Sequence, residues 1–414
     1  MSKELNIGLV GFGCVGSGLY EVLNKSKLID ATIKKIVVQD PYKERSISKT
    51  NFSFDINDIL ADDEINTVVE LINDSDEAYK IVKKALESGK DVVSANKKLI
   101  AEHLDELIFI AAKNNASFLY EGAVAGSIPI IRNLEEYYNN DSLTSIEGIV
   151  NGTTNYILTK SNDGVDYDTA LKEAQKLGFA ELDPTLDVDG FDSKYKLVLL
   201  LKHAFGLNVA PEEVQNIGIR NVTKYEIAYA NEKGYRIKLF SKAEKIGDNV
   251  VGFVAPHFVK KDHFAFGVDN EFNALVVEAL FSDKQLFIGK GAGSYPTASA
   301  VLSDISALKF EYKYEYRKTS EDSQLSFTND FFLKVYIGSP FVEAINQIPF
   351  YRVDELFQSD DYAYQTGWVK FSELEDYNLN HRKEISLVIL PEPFKGSESL
   401  FSGKLERHRV ALEV

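Results

Sequence analysis

The opening of the chain, LNIGLVGFGCVG, restricts the fold more than any other stretch. Leu5 to Val10 is a short apolar run that reads as a buried strand, and Gly11, Gly13 and Gly16 follow it in a GxGxxG arrangement. Glycines at these places permit a tight strand-to-helix turn. They also let a pyrophosphate approach the free N–H groups at the start of the following helix. Gly11, Phe12, Gly13, Cys14, Val15 and Gly16 are therefore candidate cofactor-binding residues, with a simple structural turn as the alternative.

The next strand, IKKIVVQD, ends at Asp40. A carboxylate here can accept hydrogen bonds from an adenosine ribose and favours NAD, whereas Lys43 and Arg45 in PYKER suit the extra phosphate of NADP, or are ordinary solvent-facing charges. TVVELI, the amphipathic DSDEAYKIVKKALESG and DVVSANKKLI continue a β-α-β rhythm. SANKK closes a strand, and ligands sit at strand ends in this architecture, so Ser94, Asn96 and Lys97 join the cofactor candidates. Lys97 also suits a substrate carboxylate or a proton transfer; an exposed loop lysine is the plainer reading. ASFLYEGAVAGSIPIIRNL then supplies a strand, a turn of small residues from Gly122 to Ser127 and an apolar segment. Such residues suit backbone packed near a ligand or ion, or merely a crowded turn.

From about Leu134 the character changes. SIEGIVNGTTNYIL reads as a strand running into a glycine and hydroxyl turn, and DYDTALKEAQKLG as an amphipathic helix ending at Gly178. ELDPTLDVDGFDSK, Glu181 to Lys194, then puts five carboxylates ahead of an apolar stretch. A helix beginning near Phe191 places Asp192 in its first turn and Lys196 four residues on, along the same face. In a cleft partly removed from water such a pair can give a proton to an oxygen that gains charge; on a solvent face it is only a salt bridge. Glu181, Asp183, Asp187 and Asp189 suit a substrate ammonium better than calcium, because their spacing departs from the twelve-residue calcium loop. Several of them must be structural, since a small molecule cannot touch them all.

The remaining composition narrows the class. A chain of 414 residues that is 44% hydrophobic can fill two or three cores. A net charge of −17 argues against nucleic acid or an anionic membrane as partner. The single cysteine, Cys14, excludes a disulfide framework and a cysteine-rich metal centre. With no secretory pattern at the start and no apolar run of membrane-spanning length, a soluble cytoplasmic protein is expected.

AQKLGFAELDPTLDVDGFDSKYK, from Ala174 to Lys196, matches without departure the signature A-x3-G-[apolar]-[small]-x2-[D/N/S]-P-x2-D-[aliphatic]-x-G-x-D-x3-K. In this stretch, and in GFGCVG, SANKK, EGAVAGSIPI, NGTTNYIL and GKGAGSYPTASAVLSD, the chain closely resembles the homoserine dehydrogenase family from about Leu5 to Leu308. The resemblance implies NAD(P)-dependent interconversion of L-homoserine and L-aspartate 4-semialdehyde, on the route to threonine and methionine. It places Asp192 and Lys196 at the reacting group, Lys97 as a second active-site lysine, and Glu181, Asp187, Gly152 and Thr153 along the substrate. Phe179 stands where the family often has tyrosine, and Gln39 where many relatives have arginine.

The resemblance further implies an α/β fold: a Rossmann-type dinucleotide-binding domain (1–133 and 287–308, with Gly293 returning to the cofactor) and an α+β catalytic and dimerisation domain (134–286), while FFLKVYIG and EISLVILPE, which read as strands, and SPFVEAINQI, which reads as a helix, suggest a smaller C-terminal α+β region (309–414). That last region is similar to a small ligand-binding regulatory module. Its usual glycine turn survives only as Gly338, Ser339 and Pro340, which leaves threonine sensing open. A structural sodium or potassium ion is implied near Glu121, Val124, Gly126 and Ile128, and a homodimer or higher oligomer is expected. With no kinase region ahead of Met1, a monofunctional form is expected. Two alternatives compete. An aldehyde-oxidising enzyme needs a nucleophilic cysteine, and Cys14 lies inside the glycine turn. A non-catalytic dinucleotide sensor would not need Lys97, Glu181, Asp192 and Lys196 together.

Overall fold

In the computed structural model the described residues are 3–25, 29–319 and 325–396; residues 397–414 of the C-terminal region lie outside them. The chain divides into two compact units, one of Met1–Asp141, Val198–Pro211 and Ile288–Glu321, the other of Ser142–Leu197, Glu212–Phe287 and Asp322–Val414.

The first unit is built on six parallel strands: β1 (Leu5–Val10), β2 (Ala31–Val37), β3 (Phe52–Ser53), β4 (Thr67–Glu70), β5 (Asp91–Ser94) and β6 (Phe118–Leu119). Their order, β3-β2-β1-β4-β5-β6, is that of a doubly wound dinucleotide-binding sheet. TVVE and DVVS are buried along their whole length, as strands covered on both faces are. The helix Ser75–Glu87 packs through Ala78, Ile81, Val82, Ala85 and Leu86, one stripe at helical spacing, and Asp74 caps it by accepting from Asp76 and Glu77 N–H, both at 3.0 Å.

A buried polar cluster completes this unit. His203 is fully buried; its Nδ1 lies 2.6 Å from Glu135 Oε1 and its Nε2 2.8 Å from the Tyr120 hydroxyl, which is 3.1 Å from that of Tyr316. Lys318 donates to the carbonyls of Leu134 and His203. Burial pushes the His203 imidazole below its usual range. The folded protein therefore resists a proton that the unfolded chain accepts, so this contribution is intact above the ordinary imidazole value of about 6.5 and is lost as pH falls below it. Urea midpoints between about pH 7 and pH 5 should consequently drop with acidification, and His203→Gln, which keeps a donor and an acceptor but cannot titrate, should flatten that slope. An unchanged slope would assign the acid sensitivity to other groups.

Among the described residues the second sheet has eleven strands: β7 (Leu143–Ile149), β8 (Gln215–Asn216), β9 (Arg236–Ile246), β10 (Asn249–Val259), β11 (Phe272–Ala279), β12 (Asp283–Lys290), β13 (Ser326–Phe327), β14 (Phe332–Ser339), β15 (Phe350–Gln358), β16 (Ala363–Lys370) and β17 (Ser386–Ile389). It runs β12-β11-β7-β9-β10-β17-β14-β16-β15, with β8 and β13 paired to β10. SPFVEAINQI forms only one helical turn, Val342–Ile345. The four strands β14 to β17 nevertheless pair antiparallel in the order of a split β-α-β unit. Through His257 opposite Ile389 they continue the sheet of residues 143–290. A Cβ on Gly338 would overlap the hydroxyl of Tyr362, which bonds to the buried Glu226. The space left by this glycine is filled from within the chain.

NGTTNYIL differs from its reading as a turn. Gly152–Asn162 is a helix, with Asn151 at its N-cap accepting from Thr154 N–H at 2.8 Å. Its threonines are weak helix formers, but burial of Thr153, Thr154, Asn155, Tyr156, Ile157 and Leu158 outweighs local propensity.

Candidate active site

The acidic segment ends where the helix Phe191–Phe205 begins, with Asp192 in its first turn. Lys196 is 7% exposed and Asp192 4%, so their pairing is not a surface bridge. The Lys196 ammonium donates to Asp192 Oδ2 at 2.6 Å and to the Val150 carbonyl at 2.7 Å. Asn151 Nδ2 donates to the same Asp192 oxygen at 2.8 Å and to Asp187 Oδ1 at 2.7 Å. One neutral amide thus holds two carboxylates close together, which their mutual repulsion would otherwise oppose.

The other acids separate by what they touch. Asp189 is a bidentate partner of Arg220, at 2.8 and 3.0 Å, and Asp183 accepts from Thr185 N–H at 3.1 Å. The hydrogen bonds from Thr185 hold the Asp183 carboxyl below its usual range. Both are committed to the local chain. Glu181 is exposed, and its carbonyl accepts from Gln175 Nε2 at 3.0 Å. The neighbouring Leu182 is 95% exposed. Thr153 Oγ1 donates to the Phe179 carbonyl at 2.6 Å, and a Cβ on Gly152 would press within 2.7 Å of the Glu271 carbonyl oxygen, so the helix start approaches backbone closely.

In the first unit the glycine turn behaves as the motif requires. Gly11 has φ +97°, which an L side chain rarely adopts, and a Cβ on Gly16 would overlap the Gly11 carbonyl oxygen. A Cβ on Gly13, in contrast, meets no protein atom within 4 Å. The helix Cys14–Lys25 that follows has no acidic residue in its first turn. This open, uncharged cradle of N–H groups fits a pyrophosphate. Asp40 is exposed and accepts from Tyr42 N–H at 2.8 Å, while Arg45 turns onto the Lys43 carbonyl at 2.9 Å and the Phe52 ring. Asn96 caps the helix Lys97–Lys113, so Lys97 stands at its first position, half-buried. Ser294, next to Gly293, donates to the Cys14 carbonyl at 2.7 Å and ties the helix Ser294–Leu308 beside the glycine turn.

Around Glu121 the carboxylate is already employed. It accepts from Ile131 and Arg132 N–H, both at 2.9 Å, and so caps the helix Ile130–Glu136, while Glu121 N–H donates to Asp304 at 2.8 Å. Burial raises the Asp304 carboxyl to about 7. What this turn could offer a cation is backbone: the Ser127 N–H reaches the Lys290 carbonyl at 3.0 Å, and a Cβ on Gly126 would press on Gly291. Carbonyl oxygens of this kind suit an alkali ion. Among the described residues no group of three or more His, Cys, Asp or Glu side chains can hold a metal, and no helix is long and apolar enough to cross a membrane.

Two residues escaped the sequence reading. Asn151 lay in a stretch taken for a turn, although Asn is among the residues most favoured at a helix N-cap. Glu70 ends the apolar run TVVE and is fully buried.

A doubly wound parallel sheet with a phosphate-fitting glycine turn, joined in one chain to a buried lysine–carboxylate pair, defines a nicotinamide-dependent oxidoreductase. Models of two families match: "Homoserine dehydrogenase, NAD binding domain" over residues 11–121 and "Homoserine dehydrogenase" over residues 129–306. The homoserine dehydrogenase of Lactococcus lactis is 35% identical over 381 residues, covering 87% of this chain and 88% of that one. A homoserine dehydrogenase structure from Thiobacillus denitrificans superposes with a TM-score of 0.81 at 28% identity, over 94% of this chain and 99% of that one. A hyperthermophilic archaeal homoserine dehydrogenase in complex with NADPH does so at 0.66 and 28% identity, over 75% and 99%. The chain belongs to the homoserine dehydrogenase family, and is an NAD(P)-dependent enzyme interconverting homoserine and aspartate semialdehyde.

Proposed function

We propose that Lys196 is the proton donor of this reaction and Asp192 its orienting partner. The observation that carries this reading is the buried 2.6 Å ion pair one helical turn apart. The bound nicotinamide supplies or accepts the hydride. As the aldehyde oxygen gains charge, the ammonium fixed between Asp192 and the Val150 carbonyl gives it a proton, and no metal need polarise the carbonyl. The family resemblance gives Lys97 the role of a second active-site lysine. Glu181 and Asp187 receive the substrate ammonium, with Gly152 and Thr153 lining its path. Gly11 to Gly16, Asp40, Ser94, Asn96 and Gly293 hold the dinucleotide.

The backbone of Glu121, Val124, Gly126 and Ile128 would hold a sodium or potassium ion whose role is structural. The enzyme works as a cytoplasmic homodimer or higher oligomer, free of nucleic acid and membrane, in keeping with its charge of −17. Absorbance of NADH or NADPH consumed with aspartate 4-semialdehyde tests the whole reading; folded protein that turns over neither cofactor refutes it.

The Glu181 assignment has its own test. Glu181→Gln should weaken homoserine or semialdehyde binding by about 10-fold, the loss of one charge-assisted hydrogen bond, and leave cofactor binding unchanged. Equal losses for both ligands would make Glu181 a structural carboxylate instead.

A further inference from the structure

We propose that Glu70 is a positioning residue for the cofactor site, acting through a closed ring of hydrogen bonds on the segment Ser94–Lys97; this rests on the cofactor reading given above. β4 and β5 are adjacent parallel strands with Glu70 opposite Ser94, so their carboxyl ends lie side by side where a doubly wound sheet receives its ligand. The ring has four members. Ser94 Oγ donates to Glu70 Oε2 at 2.5 Å and accepts from Asn96 N–H at 3.1 Å. Asn96 Nδ2 donates to the Ile72 carbonyl at 3.1 Å, and Ile72 N–H returns to Glu70 Oε1 at 2.7 Å. Asn96 Oδ1 meanwhile accepts from Leu99 N–H at 3.2 Å and caps the helix whose first residue is Lys97. Glu70 touches no part of this cap, yet it fixes both groups on which Asn96 is hung.

A carboxyl group in this place also sets the direction of one proton. Ionised, Glu70 takes the Ser94 hydroxyl hydrogen. Protonated, it donates to Ser94 Oγ, and the serine hydrogen is released towards the strand end as a donor to a ligand. The heavy atoms of the ring are the same in both states. Burial raises the Glu70 carboxyl to about 7, against the hydrogen bonds from Ser94 and Ile72. The charged groups on the elements around it are few. On its own loop Asp74 is turned onto Asp76 and Glu77 N–H, those two acids begin the next helix, and Lys97 heads the helix after β5. From the end of β1 the turn Gly11–Gly13 brings no titratable side chain.

The test is a fluorescence titration with NADH, whose own charge is constant over the range, or with NADPH if only that binds, between about pH 6 and pH 8 without substrate. Wild type should bind several-fold more tightly at the acid end. Glu70→Gln, whose amide donates to Ser94 as the protonated acid does, should bind as wild type does at low pH and show no pH dependence. Glu70→Ala, which opens the ring, should lose about 10-fold or more throughout, the loss that follows from leaving buried partners unpaired. Should the alanine variant not fold, Ser94→Ala opens the ring from the other side and should also abolish the pH dependence. A Gln variant that follows the wild-type profile, or a folded Ala variant with wild-type affinity, overturns the proposal. Wild type that binds neither cofactor would refute the cofactor reading rather than the ring.

Discussion

Replacing Lys196 with methionine should lower hydride-transfer turnover by about 10²-fold or more, the usual contribution of a positioned acid, while dinucleotide affinity stays near wild type. Methionine keeps most of the apolar stem in a site that is nearly closed to solvent, so the loss isolates the donor. The residue left behind matters too. Asp192 Oδ2 then retains only the Asn151 amide among the two donors described for it, and the Val150 carbonyl loses its ammonium. Some loss of stability should accompany the loss of rate, as when one partner of a buried pair is removed. Asp192→Asn should give a smaller defect in the same direction, because the amide oxygen can still accept from Lys196 but without the charge that holds the ammonium in place. The double variant should lose less than the two single losses combined, since both disable one unit. Single-turnover rates of the four forms at saturating ligands decide the matter, with folding checked by circular dichroism. Near-normal hydride transfer in Lys196→Met would move the acid role to Lys97 or a bound water.

The helix carrying that pair was legible because its information is local. A carboxylate and a lysine four residues apart behind a glycine fix the start and one face of a helix without help from the rest of the chain. The glycine turn after β1 was legible for the same reason. Asn151 was not, because its cap depends on a helix made of poor helix formers and held by burial. Its two carboxylate partners lie thirty-six and forty-one residues away in sequence, a pairing no pattern announces. Glu70 is, in sequence, no more than the polar end of the apolar run TVVE; only the register of β4 on β5 brings Ser94 opposite it. The C-terminal strands posed the hardest case. FFLKVYIG and EISLVILPE read as strands, but their place beside β10 is set by pairing across more than a hundred residues, His257 with Ile389.

Gly13 and Gly16 should fail in different ways when each is replaced by valine. The place of a Cβ on Gly13 meets no protein atom, so Gly13→Val should leave the melting temperature of the cofactor-free protein near wild type. Its branched side chain would instead stand in the cradle that fits the pyrophosphate. Displacing two charge-assisted hydrogen bonds of about 1.5 kcal/mol each weakens NAD(P)H binding by about 10²-fold. Gly16 faces inward, where even one methyl group overlaps the Gly11 carbonyl oxygen. Gly16→Val must push the helix Cys14–Lys25 away from the turn, in a unit where that helix also packs on Ser294–Leu308. Overpacking of this kind costs about 1–3 kcal/mol, so the cofactor-free protein should melt earlier as well as bind poorly. Calorimetry without ligand, set beside cofactor titrations of the same preparations, separates the two. If Gly13→Val destabilised the cofactor-free protein as much as Gly16→Val does, the second glycine would be serving the packing of the turn, and the open cradle would lose its claim to the phosphates.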